Sequence, residues 1–400
     1  MKTLRAILCL MLTTALLTGA ALAEAYTDDW GNGITLNFEI DDSLLQPLDI
    51  FDAYDKLPLD NASDAQMAAA KDLINKAAEI IFNDDTALEL HKKNSLGDVV
   101  IYAYNGEEWG DGNGILLNSA YISSRKFDET DQYLYMESYI DAELSEYYPR
   151  NPDHPYPAER KDFYVEHDYM THEEADAMAR DFMSTMRGEN SPFDVVLRDW
   201  YGITHEQFSD FFDWATEHDM FKEPGVPSYF AGNDWTEKYD AYYLLYSYTY
   251  KGYPICDNIR TSYSGTVDSA ADPAGYIAET LIDRDGFVYS NEAMLLECDY
   301  TPYQDTPALT LYEALDVLKS YLGGIKMSNP IEINRVYVEY LPYYVHDGNP
   351  DGAAVLLTFE PIWSFVTDMT TKYGRMENYM VYRVNARTGA IMTNGTGVIE

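Results

Sequence analysis

The sequence predicts an α+β protein built from tandem units, in each of which one helix packs on a four-stranded antiparallel sheet. Three observations support this class. Capping sequences precede apolar residues at helical spacing, β-branched and aromatic residues fill the intervening segments, and glycine-centred turns divide those segments. An additional α+β domain is expected at the N-terminus.

Four predicted helix starts have the same sequence motif, a Ser or Thr followed three residues later by Glu or Gln. Such a capping box satisfies the free amides of the first helical turn. Apolar residues follow at helical spacing, such as Ala175, Ala179 and Phe182, and predict a buried helix face. The four boxes are Ser63–Gln66, Thr171–Glu174, Thr204–Gln207 and Thr310–Glu313.

Two hairpin turns suggest a duplication. The segment "IDRDGFV" turns at Gly286, and "VNARTGAI" turns at Gly389, 103 residues later. The helix starts at Thr171 and Thr310 lie 139 residues apart, and the excess of 36 is close to the length of segment 191–225. The spacing therefore predicts two copies of one unit, the first with a helical insertion at 191–225.

The first 23 residues predict a secretory signal peptide. Lys2 and Arg5 precede an apolar run, and "ALA" at 21–23 offers a cleavage site before Glu24, with a second site before Tyr26. An uncleaved signal anchor is the alternative, although threonines dilute the apolar run. We expect a secreted or extracellular protein with no stable membrane insertion after cleavage.

The region between the signal peptide and the first unit is less regular. A helix starting at Ser63 precedes several short strand-like segments, which fits a degenerate third unit. Segment 147–163 contains four prolines and is the predicted linker. The predicted domains are a signal peptide at 1–23, an N-terminal α+β domain at 24–160, a first unit at 161–305 and a second unit at 306–400.

Charge and cysteine content narrow the classes of partner. The chain has 68 Asp and Glu against 27 Lys and Arg, a formal net charge of −41. Such a field repels nucleic acid and anionic lipid and favours basic partners and divalent cations. Outside the signal peptide only Cys256 and Cys298 remain, and either one disulfide or two buried thiols fits this pair.

From about residue 161 onward, a succession of motifs carries a family resemblance. The unit helix "MTHEEADAMARDFM" is followed by "YTYKGYPI", "IDRDGFV", "LTLYEALDVLKSYL", "FEPIWSF" and "VNARTGAI". This order resembles exported Firmicute proteins of the PepSY-like and YycI-like kind, including uncharacterised gut-clostridial lipoproteins. Phe359 stands where the family has Leu, and the lipobox cysteine is absent. The resemblance implies a cystatin-like fold and modulation of partner proteins.

Sequence signatures of catalysis are absent: the chain has no G-x-S-x-G, H-E-x-x-H, P-loop or dinucleotide fingerprint. His167 and His172 fit surface positions better than a metal site. Asp347, Asn349 and Asp351 match the start of a calcium loop, but the loop's final Glu is missing. An ordinary turn between strands is the alternative reading of that stretch.

The aromatic residues provide the remaining candidates. Tyr243, Tyr248 and Tyr250 lie in a Tyr-rich strand that could present a sugar- or peptide-binding face, although packing under a helix is the alternative. Trp363 alternates with Phe359 and Phe365 along one strand, and we expect it to be buried against the helix that starts after Thr310.

These observations favour an exported, non-catalytic protein that binds or modulates another extracytoplasmic protein or peptide. Two alternatives stay open. A glycan-binding or glycan-cleaving protein predicts a deep cleft with converging carboxylates. A calcium-stabilised structural protein predicts an occupied acidic loop, and no other cofactor is expected.

Overall fold

The computed structural model describes the chain from Glu24 to Ile399, with gaps. The predicted signal peptide, both cysteines and the predicted calcium residues lie outside the described part of the chain; these residues are Cys256, Cys298, Asp347, Asn349 and Asp351. The described residues are 24–55, 63–82, 88–95, 98–104, 113–117, 121–125, 160–188, 191–217, 235–255, 278–293, 296–297, 307–325, 327–344, 356–393 and 398–399.

Four α-helices begin where the capping sequences predict them. Thr171 and Thr310 form complete capping boxes with Glu174 and Glu313. Thr204 exchanges the same two hydrogen bonds with its glutamine partner. The α-helices in the described part of the chain are α1 (Asp64–Phe82), α2 (His172–Arg187), α3 (His205–Glu217) and α4 (Leu311–Gly323).

Eighteen described strands form two sheets, and the protein is therefore a mixed α+β protein. The strands are β1 (Glu24–Gly31), β2 (Ile34–Ile40), β3 (Phe51–Asp55), β4 (Glu89–Ser95), β5 (Asp98–Tyr104), β6 (Gly114–Leu117), β7 (Tyr121–Arg125), β8 (Phe193–Ile203), β9 (Ala241–Tyr250), β10 (Tyr253–Pro254), β11 (Ala278–Asp283), β12 (Gly286–Ala293), β13 (Leu296–Glu297), β14 (Ile331–Tyr344), β15 (Leu356–Thr371), β16 (Gly374–Asn385), β17 (Ile391–Thr393) and β18 (Val398–Ile399).

Each sheet contains nine described strands. Sheet A runs in the order β1-β2-β14-β15-β16-β17-β18, with β3 pairing β15 and β13 pairing β3. Sheet B runs β10-β9-β11-β12-β7-β6-β5-β4, with β8 on the other side of β9. The pairing of β2 with β14 is parallel, whereas the other strand pairs are antiparallel.

A helix followed by four antiparallel strands occurs three times along the chain. Helix α1 precedes β4–β7, α2 precedes β8, β9, β11 and β12, and α4 precedes β14–β17. Strand β12 pairs with β7, so the first two runs share sheet B. The run of α1 with β4–β7 lies in the region for which the sequence suggests a degenerate third unit.

The predicted helical insertion at 191–225 is wrong in its first half. Residues Phe193–Ile203 form strand β8, which pairs with β9 along almost its whole length. Only α3, which follows at His205, is helical. Residues such as Val195 and Tyr201 favour a strand, with a side-chain period of two. The capping box at Thr204 predicts a helix directly after them, and the whole segment was therefore assigned to the helix.

The predicted N-terminal domain at 24–160 is also not one unit. Strands β1, β2 and β3 belong to sheet A, whereas α1 and β4–β7 belong to sheet B. Ile34, Leu36 and Phe38 alternate inward along β2 and join the core under α4. The parallel contact of β2 with β14 is non-local, so nothing in the adjacent sequence indicates it.

Sheet A confirms the expected position of Trp363. This side chain is 1% exposed and packs in the core that contains α4 residues Leu311, Leu315 and Leu318. Its indole N–H donates to the carbonyl of Leu309 at 2.8 Å, so the buried polar atom has an acceptor.

An aromatic cluster joins the two sheets. Phe51 stacks on Phe359 with ring centroids 4.9 Å apart, and it also contacts Tyr250 of β9. A single bridge pairs Ile255 with Tyr340 of β14. Among the described helices, no segment is long and apolar enough to cross a membrane.

Candidate functional site

The predicted binding face on strand β9 is wrong, because its tyrosines lie in the core. Tyr243, Tyr248 and Tyr250 are at most 2% exposed, and all ten residues of β9 are buried. Helix α2 packs on the face that carries Tyr248, and α3 packs on the face that carries Tyr243. Covering both faces of the strand removes the open platform that a sugar or peptide would need.

The buried tyrosines of β9 reach carboxylates with their hydroxyl groups. Tyr242 donates to Glu166, Tyr243 to Glu279, Tyr246 to Asp176 and Tyr250 to Asp49, at 2.7, 2.8, 2.9 and 3.2 Å. The four acceptors come from the loop before α2, strand β11, helix α2 and the loop before β3. Strand β9 thus ties four separate elements to the centre of sheet B.

Further tyrosines repeat this pairing. Tyr164 and Tyr201 both donate to the buried Asp199, each at 3.0 Å. Tyr289 donates to Glu279 at 2.8 Å, beside the bond from Tyr243. Because acidic residues outnumber basic ones by 68 to 27, neutral phenol donors satisfy carboxylates for which few cations are available.

One end of sheet B gathers histidines and carboxylates around two helix starts. The amide and ring Nδ1 of His172, the first residue of α2, both bond to the Glu166 carboxylate. Glu173 lies 3.3 Å from the same ring nitrogen. The imidazole stacks on Trp200, with centroids 4.1 Å apart, so its orientation is held by packing.

The start of α3 repeats the arrangement with different residues. The amide of His205 donates to Asp240 at 2.7 Å, and its Nδ1 lies 2.8 Å from the same oxygen. Glu206 lies 3.1 Å from the other ring nitrogen, Nε2. Each cluster brings one nitrogen and two carboxylate oxygens within 4.8 Å of one another, a set of groups that metal ions can use.

The two clusters differ in how their groups converge. At His172 both carboxylates lie close to the same ring nitrogen, Nδ1. At His205 one carboxylate lies close to Nδ1 and the other close to Nε2. In each cluster one carboxylate, that of Glu166 or Asp240, also accepts a hydrogen bond from the backbone amide of the first helical residue. The clusters therefore act as caps that fasten α2 and α3 to the end of sheet B.

Electrostatics around the first cluster follow from burial and hydrogen bonding. Burial raises the pKa of Glu166, but hydrogen bonds from Tyr242 and His172 outweigh this, so the pKa lies below its usual value. Burial raises the pKa of Tyr242 and of Tyr169, and nearby carboxylates add to both shifts. Both phenols stay protonated and act as donors.

Two surface cavities lie away from the histidine–carboxylate clusters. One, of about 360 Å³, lies between α1 and strands β4 and β5 and includes one carboxylate, Asp64. The other, of about 410 Å³, lies at the β15–β16 turn beside Tyr373 and includes none. Neither cavity supplies the pair of carboxylates that a glycosidase uses.

Arginine side chains cover part of the outer edge of β8 in sheet B. Arg180 and Arg187 of α2 donate to the carbonyls of Val195 and Phe193, each at 2.5 Å. Such side-chain bonds to edge carbonyls protect this part of the edge. Farther along, the backbone of Val165 packs so close to Gly202 that a Cβ there would meet its oxygen at 1.8 Å.

The outer edge of β1 in sheet A is different. Within the described part of the chain, β1 pairs with β2 alone. The amides of Asp29 and Gly31 donate to carboxylates of Asp28 and Asp29, each at 2.8 Å. These local bonds cover only the end of the strand near the turn.

Comparisons with known proteins support the fold and leave the activity unassigned. No family model and no curated protein matches the chain. The crystal structure of an uncharacterised protein from Eubacterium rectale is similar, with a TM-score of 0.50 and 12% identity over 93% of this chain and 94% of that one. At this identity the likeness concerns the fold alone.

Neither the tyrosine–carboxylate pairs nor the capping clusters were predicted from the sequence. A local signal for the clusters was present, since "THEE" at 171–174 and "THEQ" at 204–207 both place His after the capping threonine. Their carboxylate partners Glu166 and Asp240 lie elsewhere in the sequence, and only the fold brings Asp240 to His205.

Proposed function

We propose that this protein is an exported, non-catalytic binding protein whose helix-plus-four-strand units, of the cystatin or PepSY-like kind, engage and modulate another extracytoplasmic protein. The burial of the β9 tyrosines carries the proposal, because helices close both faces of this part of sheet B. The fold then offers a partner its outer surfaces and strand edges.

The chemistry of the described residues supports binding over catalysis. Histidine–carboxylate groups at the starts of α2 and α3 bond to helix amides, which is a structural use of these groups. The two surface cavities have one carboxylate and none. A signal peptide at residues 1–23, as the sequence predicts, would put the binding event outside the cytoplasm, and the proposal requires no cofactor.

Site-specific photo-crosslinking tests the proposal. A photoreactive residue is placed singly at Thr27, Val196, Tyr312 or Tyr373, which lie on β1, β8, α4 and the β15–β16 turn and are all exposed. The protein is then irradiated on cells of its native host. We expect one protein to be captured from some of these positions and not from the others.

Equal capture of many proteins from every position would contradict specific binding. A glycan array and a hydrolysis assay with the same preparation address the glycan alternative. Tight glycan binding or glycan release, without a protein crosslink, would replace the proposal by a carbohydrate function.

A further inference from the structure

We infer that the outer edge of β1 is the surface on which a partner docks, by adding an extended, basic strand of another protein to sheet A. The inference rests on the proposed function and names its surface and the chemistry of its partner. Main-chain bonds of a sheet edge provide affinity in this mode, and alternate side chains provide specificity.

The hydrogen bonds of β2 show which backbone amides and carbonyls of β1 point away from the sheet. Ile331 of β14 donates to the carbonyl of Gly33, so the odd-numbered residues of β2 face β14. Even-numbered residues of β2 therefore bond to β1, and their partners in the register are Tyr26 and Asp28. By the antiparallel alternation, Ala25 and Thr27 direct their amides and carbonyls away from the sheet.

Only part of this edge is blocked. The carboxylate of Asp28 occupies the amide of Asp29, which is also directed outward. Ala25 and Thr27 have no such cover among the described residues, whereas the carbonyls at the β8 edge are bonded by arginines. Since protected edges are the norm, an open edge of this kind is a candidate for strand addition.

Aromatic side chains lie on the α4 side of the edge, where Asp28 is already paired with Lys319 at 3.3 Å. Tyr26 lies on the α4 side of β1 and contacts Phe38 and Tyr312, with ring centroids 5.1 and 6.4 Å away. Tyr312, on the first turn of α4, remains 52% exposed. An added strand would place alternate side chains over these rings, so we expect them to be apolar.

The opposite face of the edge is polar and acidic. Ala25, Thr27 and Asp29 are exposed on it, and Glu39 is exposed on neighbouring β2. The whole chain carries a formal charge of −41. Lysine or arginine at the remaining alternate positions of the added strand fits this charge, whereas a second copy of β1 would bring aspartates against aspartates.

A peptide that alternates lysine and valine is the probe. Its affinity for residues 24–400 is measured by calorimetry beside a lysine–proline peptide of equal charge, which cannot form ladder bonds. We expect the lysine–valine peptide to bind at least about tenfold more tightly. Equal affinities would mean that charge alone attracts the peptide, and would overturn the inference.

Matched variants locate the contact. Thr27→Pro removes the outward amide without breaking a bond to β2, and we expect about a tenfold loss of affinity, with none for Thr27→Val. Tyr312→Ala should weaken binding several-fold, whereas Tyr373→Ala should not. Unchanged peptide binding by Thr27→Pro would overturn the inference. A change of oligomeric state caused by Thr27→Pro would also overturn it, because the edge would then pair with a second copy of the chain.

The two proposals fail separately. If the peptide does not bind but a photoreactive residue at Tyr373 or Val196 still captures one protein, the binding function stands and the β1 edge is not its surface. If no position captures a protein, the proposed function itself falls.

Discussion

Strands β9 and β15 are both central and buried on two faces, yet they accommodate polar groups in different ways. In β9, tyrosine hydroxyls cross the core to carboxylates on other elements. Around β15, ion pairs join neighbouring strands: Glu339 of β14 accepts from Ser364 at 2.5 Å and from Arg383 of β16 at 2.8 Å.

This difference between β9 and β15 shows where a strongly acidic chain uses its few cationic side chains. Arg383 and Glu339 are 5% and 1% exposed as side chains, so sheet A buries a desolvated ion pair. Sheet B buries neutral phenols and leaves most of their carboxylate partners closer to solvent. Removing one member of an ion pair leaves a buried charge, whereas removing a phenol hydroxyl does not.

The largest effect is expected from breaking the ion pair in sheet A. Arg383→Met leaves the Glu339 carboxylate buried without its cation and should lower the free energy of unfolding by about 3–5 kcal/mol. Denaturant titration measures the loss. The double variant Arg383→Met/Glu339→Leu should recover most of it, and equal losses in both variants would show that packing, not charge, is responsible.

A loss of similar size is expected on the apolar face of β15. Trp363→Ala removes a side chain that is 1% exposed and should cost about 3–5 kcal/mol, through lost burial and a large cavity. Tyr373→Ala, at a site 88% exposed, serves as the control and should change stability by less than about 0.5 kcal/mol. A Trp363→Ala protein that melts like the parent would contradict the core position.

A smaller effect is expected for the tyrosines of sheet B. Tyr243→Phe keeps the ring in the core and removes one hydrogen bond to Glu279, which Tyr289 still donates to. The expected loss is about 1 kcal/mol by denaturant titration. A double variant with Tyr289→Phe should lose more than the sum of the two single losses, because Glu279 then lacks both of these donors. Simple additivity would show that the two phenols act independently.

The smallest effect concerns pH. The pKa of Glu166 is lower in the folded protein than in the unfolded chain, so its ionised form stabilises the fold above the unfolded value. This contribution disappears as the pH falls through the folded-state pKa. Because the side chain is 47% exposed, we expect less than about 1 kcal/mol.

Urea titrations across the acidic range measure this contribution. Tyr242→Phe removes one of the hydrogen bonds that lower the pKa of Glu166 and should flatten the acid dependence. Glu166→Gln should remove this part of the dependence altogether. A steeper acid loss in either variant would contradict the assignment.

Several features were predictable because their causes are local. The capping boxes at Thr171 and Thr310 involve residues three apart, and the structure has both. Gly389 was predicted to turn a hairpin and adopts a positive φ of 72°. Trp363 followed from period 2 along one strand together with the apolar stripe of α4.

The errors arose where distant elements decide the outcome. Tyr243, Tyr248 and Tyr250 have the composition of a binding face, and their burial depends on two helices that cover opposite sides of β9. The sequence predicts β8 as part of a helical insertion, because the pairing of β8 with β9 joins residues far apart in the chain and is not visible locally. Side-chain periodicity records what one segment prefers and not which segments will cover it.

The sequence by itself determined the α+β class, the helix starts and the order of helix and strands in the last unit, since propensity, capping and turn chemistry act over a few residues. The tertiary structure alone decided that β1–β3 join the C-terminal sheet and that the tyrosines of β9 are closed on both faces. It also decided that, within the described residues, β1 pairs with β2 alone while arginines bond to edge carbonyls of β8. These outcomes depend on contacts between residues far apart in the chain, whose partners are selected by the packing of the whole molecule and leave no mark in the neighbouring sequence.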